Sequence, residues 1–141
     1  MKTLLLHPTN WIDYSLVDSG DGKKLERFGN LLFIRPEPQA LWSPRLPLKE
    51  WEKSSGAFLA SSNPLNEDTT GKWSLKRNLP LKWEMKYDNI KFFATPTPFR
   101  HLGFFPDQSP HWLWASKKIE SFIKIHDKNY SPKVLNLFGY S

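Results

Sequence analysis

The chain has 141 residues, 39% hydrophobic and 15% aromatic, including seven Trp and ten Phe. This content excludes a disordered tail and suits one compact domain, or a small domain with part of another. A formal net charge of +6 favours an anionic partner, RNA first, although solvated lysine faces give the same excess without one. Without cysteine the chain has no disulfide, thiolate metal site or cysteine nucleophile, and no stretch reads as a signal peptide or membrane span, so the cytoplasm is the default compartment.

In chain order, the first elements are β-strands. Tyr14–Asp18 runs into the turn Ser19-Gly20-Asp21-Gly22, and Lys23–Phe28 alternates apolar and polar residues. Gly29-Asn30 makes a second turn, and Leu31–Arg35 forms a third strand halted by Pro36 and Pro38. From Pro36 to Gly71 the pattern dissolves into Pro, Ser and Asn around isolated aromatics, so an irregular crossing segment is expected, most mobile at Ser61–Asp68. Trp73-Leu75-Arg77 and Trp83-Met85-Tyr87 alternate again, Asp88-Asn89 fits a tight turn, and Ile90–Ala94 completes a second β-meander closed by Pro96 and Pro98.

The last third changes period. Ser109 is placed to cap a helix with Pro110 at its start. Trp112, Ala115, Ile119, Phe122, Ile123 and His126 recur on one face, opposite Lys117, Lys118 and Lys124. Asn129–Pro132 ends the helix, and Lys133–Phe138 is a β-run leading into Gly139-Tyr140-Ser141. A buried strand followed at once by glycine is how a Rossmann-like sheet brings its backbone against a nucleotide-type ligand, although most strands that end in Gly do nothing of the kind. His7, His111 and His126 have neither metal-ligand spacing nor carboxylate partners, so no metal is implied. Arg100-His101 reads as a loop-ordering or phosphate-contacting pair without a catalytic role.

Three ordered segments carry a family resemblance. Pro96-Thr97-Pro98-Phe99-Arg100-His101-Leu102-Gly103-Phe104-Phe105-Pro106-Asp107-Gln108-Ser109-Pro110-His111-Trp112-Leu113-Trp114 and Val134–Ser141 resemble the entry to the catalytic domain of bacterial class I S-adenosylmethionine-dependent methyltransferases, a group related to the large-subunit ribosomal RNA methyltransferases. Asp18–Gly29, with Arg35–Trp42, is similar to the small β-domain that precedes that domain. The resemblance implies an α+β chain: an antiparallel β-rich domain over residues 1–98, then over residues 99–141 a linker helix and the first strand of a Rossmann-like domain. It implies S-adenosylmethionine as cofactor, with Phe138, Gly139 and Tyr140 starting the loop for its amino-acid part and the Phe105, Asp107 and Gln108 corner beside them. On local chemistry Asp107 or Ser109 serves equally as a helix cap, Gln108 as a solvated side chain, and Trp112 as core.

The family pattern continues with a further glycine, an acidic ribose-binding residue and acceptor-site motifs. None of these is in the 141 residues, so the chain alone is expected to be an incomplete, inactive methyltransferase. RNA is the expected acceptor, with Lys23, Lys24, Arg27, Arg77 and Arg100 as candidate contacts alongside Lys72, Lys76, Lys82 and Lys86. The alternative is a basic, aromatic-rich β-domain that binds RNA without catalysis. An unpaired terminal strand also invites self-association between chains.

Overall fold

A computed structural model describes His7 and residues 11–60, 71–126 and 131–137. An antiparallel meander of β1 (Tyr14–Gly20), β2 (Lys23–Phe28) and β3 (Leu31–Pro36) comes first. Its first turn is the two-residue loop Asp21-Gly22, whose φ values of 50° and 71° are both in the left-handed region, the pair that matches the twist of hairpin strands. A register shift between Leu16 and Asp18 leaves Leu16 opposite Glu26 and Asp18 opposite Leu25. The bulge turns the Asp18 side chain from the Lys24 face of the sheet to the Leu25 face.

The crossing segment is not wholly irregular. It contains the one-turn helix α1 (Leu48–Trp51) and the strand β4 (Gly56–Ala60). β4 runs parallel to β3, pairing Phe33 with Gly56 and Ile34 with Ala57, and antiparallel to β5 (Gly71–Leu75). Parallel pairing spans a long crossover and leaves no hairpin signal, and Gly-Ala-Phe-Leu-Ala has no alternation, so the strand is invisible locally. β5 therefore closes a five-stranded sheet of order β1-β2-β3-β4-β5 instead of opening a second meander. Gly71 permits this closure, since a Cβ there would collide with the Leu59 carbonyl and the Phe58 ring. β6 (Trp83–Tyr87) and β7 (Ile90–Ala94) form a separate two-stranded hairpin. Ser61–Asp68, read from the sequence as the most mobile stretch, lies outside the described residues.

Trp11–Gly103 is one compact unit; Met1–Asn10 with Phe104–Ser141 is the other. The core of the first is aromatic. Phe33, fully buried, stacks on Trp83 at 5.4 Å between ring centres and meets Phe28 and Trp73 edge-on at 6.0 and 5.5 Å. Phe58 extends the cluster through Trp73, and Tyr14 extends it from Phe28 to Trp11. Burying such rings supplies a large share of the apolar area available to a chain of this size. The same layer buries Glu26 against Arg35, whose guanidinium lies 5.4 Å from the centre of the Phe28 ring.

In the second unit a 3-10 turn, Pro106–Gln108, leads into α2 (Ser109–Ile125). Ser109 is not the cap that its sequence position suggests. The 3-10 turn moves the N-cap to Gln108, which makes no side-chain capping bond, and Ser109 becomes the first helical residue. The helix ends at His126, before the Asn129–Pro132 stop, and the His126 ring stacks on Phe122 at 3.9 Å. Residues 131–137 form no strand, so the β-run read from the sequence over Lys133–Phe138 is absent as far as Leu137. Among the described residues no helix is long and apolar enough to cross a membrane.

Candidate functional site

The corner read as a cofactor site is the Phe105–Ser109 segment. Asp107 and Gln108 are exposed and joined, Gln108 Nε2 donating to Asp107 Oδ2 at 3.2 Å, while Gln108 Oε1 is 3.0 Å from His111 Nδ1. Ser109 is 3% exposed and its Oγ has no hydrogen-bond partner. The Gln108 and Ser109 N–H groups donate to the Phe105 and Pro106 carbonyls and Pro110 has none, so this corner offers an anionic group mainly the partial positive charge of the helix end, with the Asp107 carboxylate available to a cationic one. Phe138, Gly139 and Tyr140 lie outside the described residues. Trp112 and Trp114 on α2 are 39% and 62% exposed, and Lys118 Nζ sits 5.9 Å from the Trp114 ring centre.

The proposed RNA contacts do not share one face. In β2, Lys23 and Arg27 alternate with Lys24, so they project from opposite sides of the sheet. Arg27 is spent on structure, donating to the Gly29 and Ile12 carbonyls at 2.9 and 2.8 Å, and Lys24 is paired with Glu37 at 3.2 Å. Lys76 donates to the Glu52 carbonyl at 2.7 Å. Lys23, Arg77 and Arg100 are exposed. Lys82 and Lys86 lie at the outer side of the β6–β7 hairpin, with Lys91 and Phe93, two residues the sequence reading did not single out. Their period-two spacing was the available signal.

Arg100 belongs to a loop held at many points. Trp73 Nε1 donates to the Thr97 and Phe99 carbonyls at 2.9 and 3.0 Å, and Arg35 Nη1 donates to the Arg100 carbonyl at 3.2 Å. The Gly103 N–H donates to His101 Nδ1 at 3.1 Å, which places the neutral ring's proton on Nε2. Burial and the Arg35 charge push the His101 imidazole below its ordinary value of 6.5. A group whose folded pKa is depressed contributes stability that is complete above its unfolded value and is lost as pH falls through the folded one. The urea midpoint is therefore expected to drop below pH 6.5, and to drop less in His101→Gln. Equal acid sensitivity of the two proteins in urea melts at neutral and mildly acidic pH contradicts that assignment.

A cleft of about 460 Å³ opens on the other face of the sheet, at Ile34, walled by Pro44, Leu46 and Trp51. Asp18 builds the wall, its carboxylate accepting from Leu46 N at 2.9 Å, Arg45 N at 3.3 Å and Trp51 Nε1 at 3.0 Å. Among the described residues no cluster of His, Asp and Glu is arranged to hold a metal ion.

No protein-family model matches the chain, and no curated protein does. Among solved structures it is similar to the SAM-dependent methyltransferase from Agrobacterium tumefaciens, with 34% sequence identity and a TM-score of 0.73. The match covers 84% of this chain and 36% of that one, so the chain spans about a third of the length of the protein it resembles. The mixed α+β architecture, with its sheet and following helix, is thus similar to part of that methyltransferase.

Proposed function

We propose that this chain supplies the β-rich portion and the catalytic-domain entry of a cytoplasmic class I methyltransferase that uses S-adenosylmethionine and acts on RNA, ribosomal RNA by family resemblance. One observation carries the reading: 34% identity and a TM-score of 0.73 to a SAM-dependent methyltransferase over 84% of the chain. The positive charge supports the RNA acceptor.

The corner at the start of α2 fits one end of such a cofactor. The partial positive charge at the start of α2 suits its carboxylate, and Asp107 suits its ammonium group. Within a complete methyltransferase domain the cofactor would supply a methyl group on a sulfonium, and the α2 corner would help to orient it for in-line displacement. No general base is assigned, because methyl transfer needs one only when the acceptor must lose a proton.

A nucleotide-type crevice takes contacts from several strand ends, and residues 131–137 contribute no paired strand, so the chain alone is not expected to bind the cofactor. Isothermal titration with S-adenosylmethionine tests this. The 141-residue chain should give no measurable heat. A chimera with residues 11–137 in place of the matching segment of the Agrobacterium protein should bind with micromolar affinity. A chimera that folds by circular dichroism yet stays silent overturns the methyltransferase reading. Micromolar binding by the chain alone shows that the α2 corner suffices, and overturns its dependence on further strands.

A further inference from the structure

The β6–β7 hairpin has two unlike faces. Its inner face packs Trp83 on Phe33, buries Met85 at 1% exposure and places Tyr87 and Phe92 against Trp11. The hairpin is anchored there by two bonds at Lys86, whose carbonyl accepts from Trp11 Nε1 at 2.8 Å and whose N–H donates to Asp13 Oδ2 at 2.6 Å. The outer face is set by the register Glu84 opposite Phe93 and Lys86 opposite Lys91. Phe93 stands on it with 59% of its surface exposed, and Lys82 Nζ lies 4.8 Å from its ring centre. Lys91 is paired with Glu84 at 3.0 Å, and Lys86 has no carboxylate within ion-pair distance among the described residues.

An exposed phenylalanine ringed by three lysines and one glutamate, on a hairpin fixed from behind, has little to gain from water. Folding does not need the ring outside, since the core is filled from the other face. We propose that this outer face is a docking platform for an unpaired strand of RNA, one base stacking on Phe93 and the flanking phosphates meeting Lys82 and Lys86. Charge complementarity selects a polyanion, and the ring selects an unpaired one, because only a splayed-out base offers its π face to a side chain. A double helix keeps its bases stacked inside and presents phosphates alone, which leaves Phe93 unused. This inference rests on the RNA reading above and adds the place and form of binding.

Fluorescence anisotropy with labelled oligouridine of about 12 nucleotides, using the whole 141-residue chain, tests it. Phe93→Ala should weaken binding about 5- to 150-fold, the range for losing one base–aromatic stack, and Phe93→Tyr should restore it. Lys82→Gln with Lys86→Gln should lower the salt slope by about 1.4, at about 0.7 per phosphate contact on a single strand. Because all three side chains project outward, circular dichroism of each variant should match the parent. Binding that ignores Phe93→Ala, or that favours duplex RNA, overturns the platform and leaves the RNA reading standing. No binding by the parent at low salt to either single-stranded or duplex RNA overturns both. Equal or tighter binding of oligodeoxythymidine overturns the assignment to RNA.

Discussion

Replacing Glu26 with alanine is expected to destabilise the Trp11–Gly103 unit by about 3–5 kcal/mol, the usual cost of stranding one partner of a buried ion pair. Glu26 is 1% exposed, and both its oxygens are engaged. Oε2 accepts from Arg35 Nε at 2.6 Å, while Oε1 accepts from Arg35 Nη2 at 2.7 Å and from the Tyr14 hydroxyl at 2.8 Å. Without the carboxylate the guanidinium, itself 8% exposed as part of Arg35, is left beside Phe28 with a charge and two donors uncompensated. Removing both partners together, as Glu26→Leu with Arg35→Met, should cost less, because no buried charge is left uncompensated and only the bonds to the Tyr14 hydroxyl and the Arg100 carbonyl are lost. Urea denaturation of the three proteins decides it. A loss below about 1 kcal/mol for Glu26→Ala would mean that the pair behaves like an exposed one.

The consequence reaches the 95–103 loop. Arg35 uses its remaining nitrogen to hold the Arg100 carbonyl, so a guanidinium released from Glu26 also loosens the segment bearing Phe99, Arg100 and His101. In Glu26→Ala the acid sensitivity due to His101 should change, since the orientation of the Arg35 charge is no longer set from the sheet.

Asp18→Ala has the second largest expected effect, about 3 kcal/mol, because it leaves the buried Trp51 N–H and two backbone N–H groups without their acceptor. Burial by itself raises the pKa of the Asp18 carboxyl, but bonds from Leu46, Trp51, Arg45 and Ser19 together outweigh it and hold the carboxyl below its ordinary 3.8. This stability is complete above pH 3.8 and is lost as pH falls through the lower folded value, so it survives mild acid and fails only in strong acid. Thermal melts from neutral pH downward should show the parent and Asp18→Ala converging only below pH 3.8. Convergence already in mild acid would place the stabilisation elsewhere. Because Asp18 also holds the wall of the Ile34 cleft, quenching of Trp51 fluorescence should increase in the variant.

Much of the β-rich unit is legible in the chain because its signals are local. The β1–β2 turn is written in Asp21-Gly22, the β6–β7 turn in Asp88-Asn89, and α2 in apolar spacing that needs no partner to be recognised. Net charge, missing cysteine and the ordered segments that resemble a methyltransferase family also belong to sequence alone. Tertiary structure decided what depends on residues far apart in the chain. β4 exists only because β3 and β5 supply its two ladders, and β5 belongs to the first sheet because Gly71 lets Phe58 close over it. Ser109 lost the cap to a turn formed before it, and the Lys133–Leu137 run, apolar and β-prone, forms no strand. Among the basic residues, sequence counted charges, whereas the fold sorted them: Arg27 and Lys24 are consumed by the sheet, and Lys82 and Lys86 come to flank Phe93. The reason is physical. A turn or a helical stripe is fixed by dihedral preference and period over a few residues, whereas pairing, burial and the face a charge occupies are fixed by whatever packs against it.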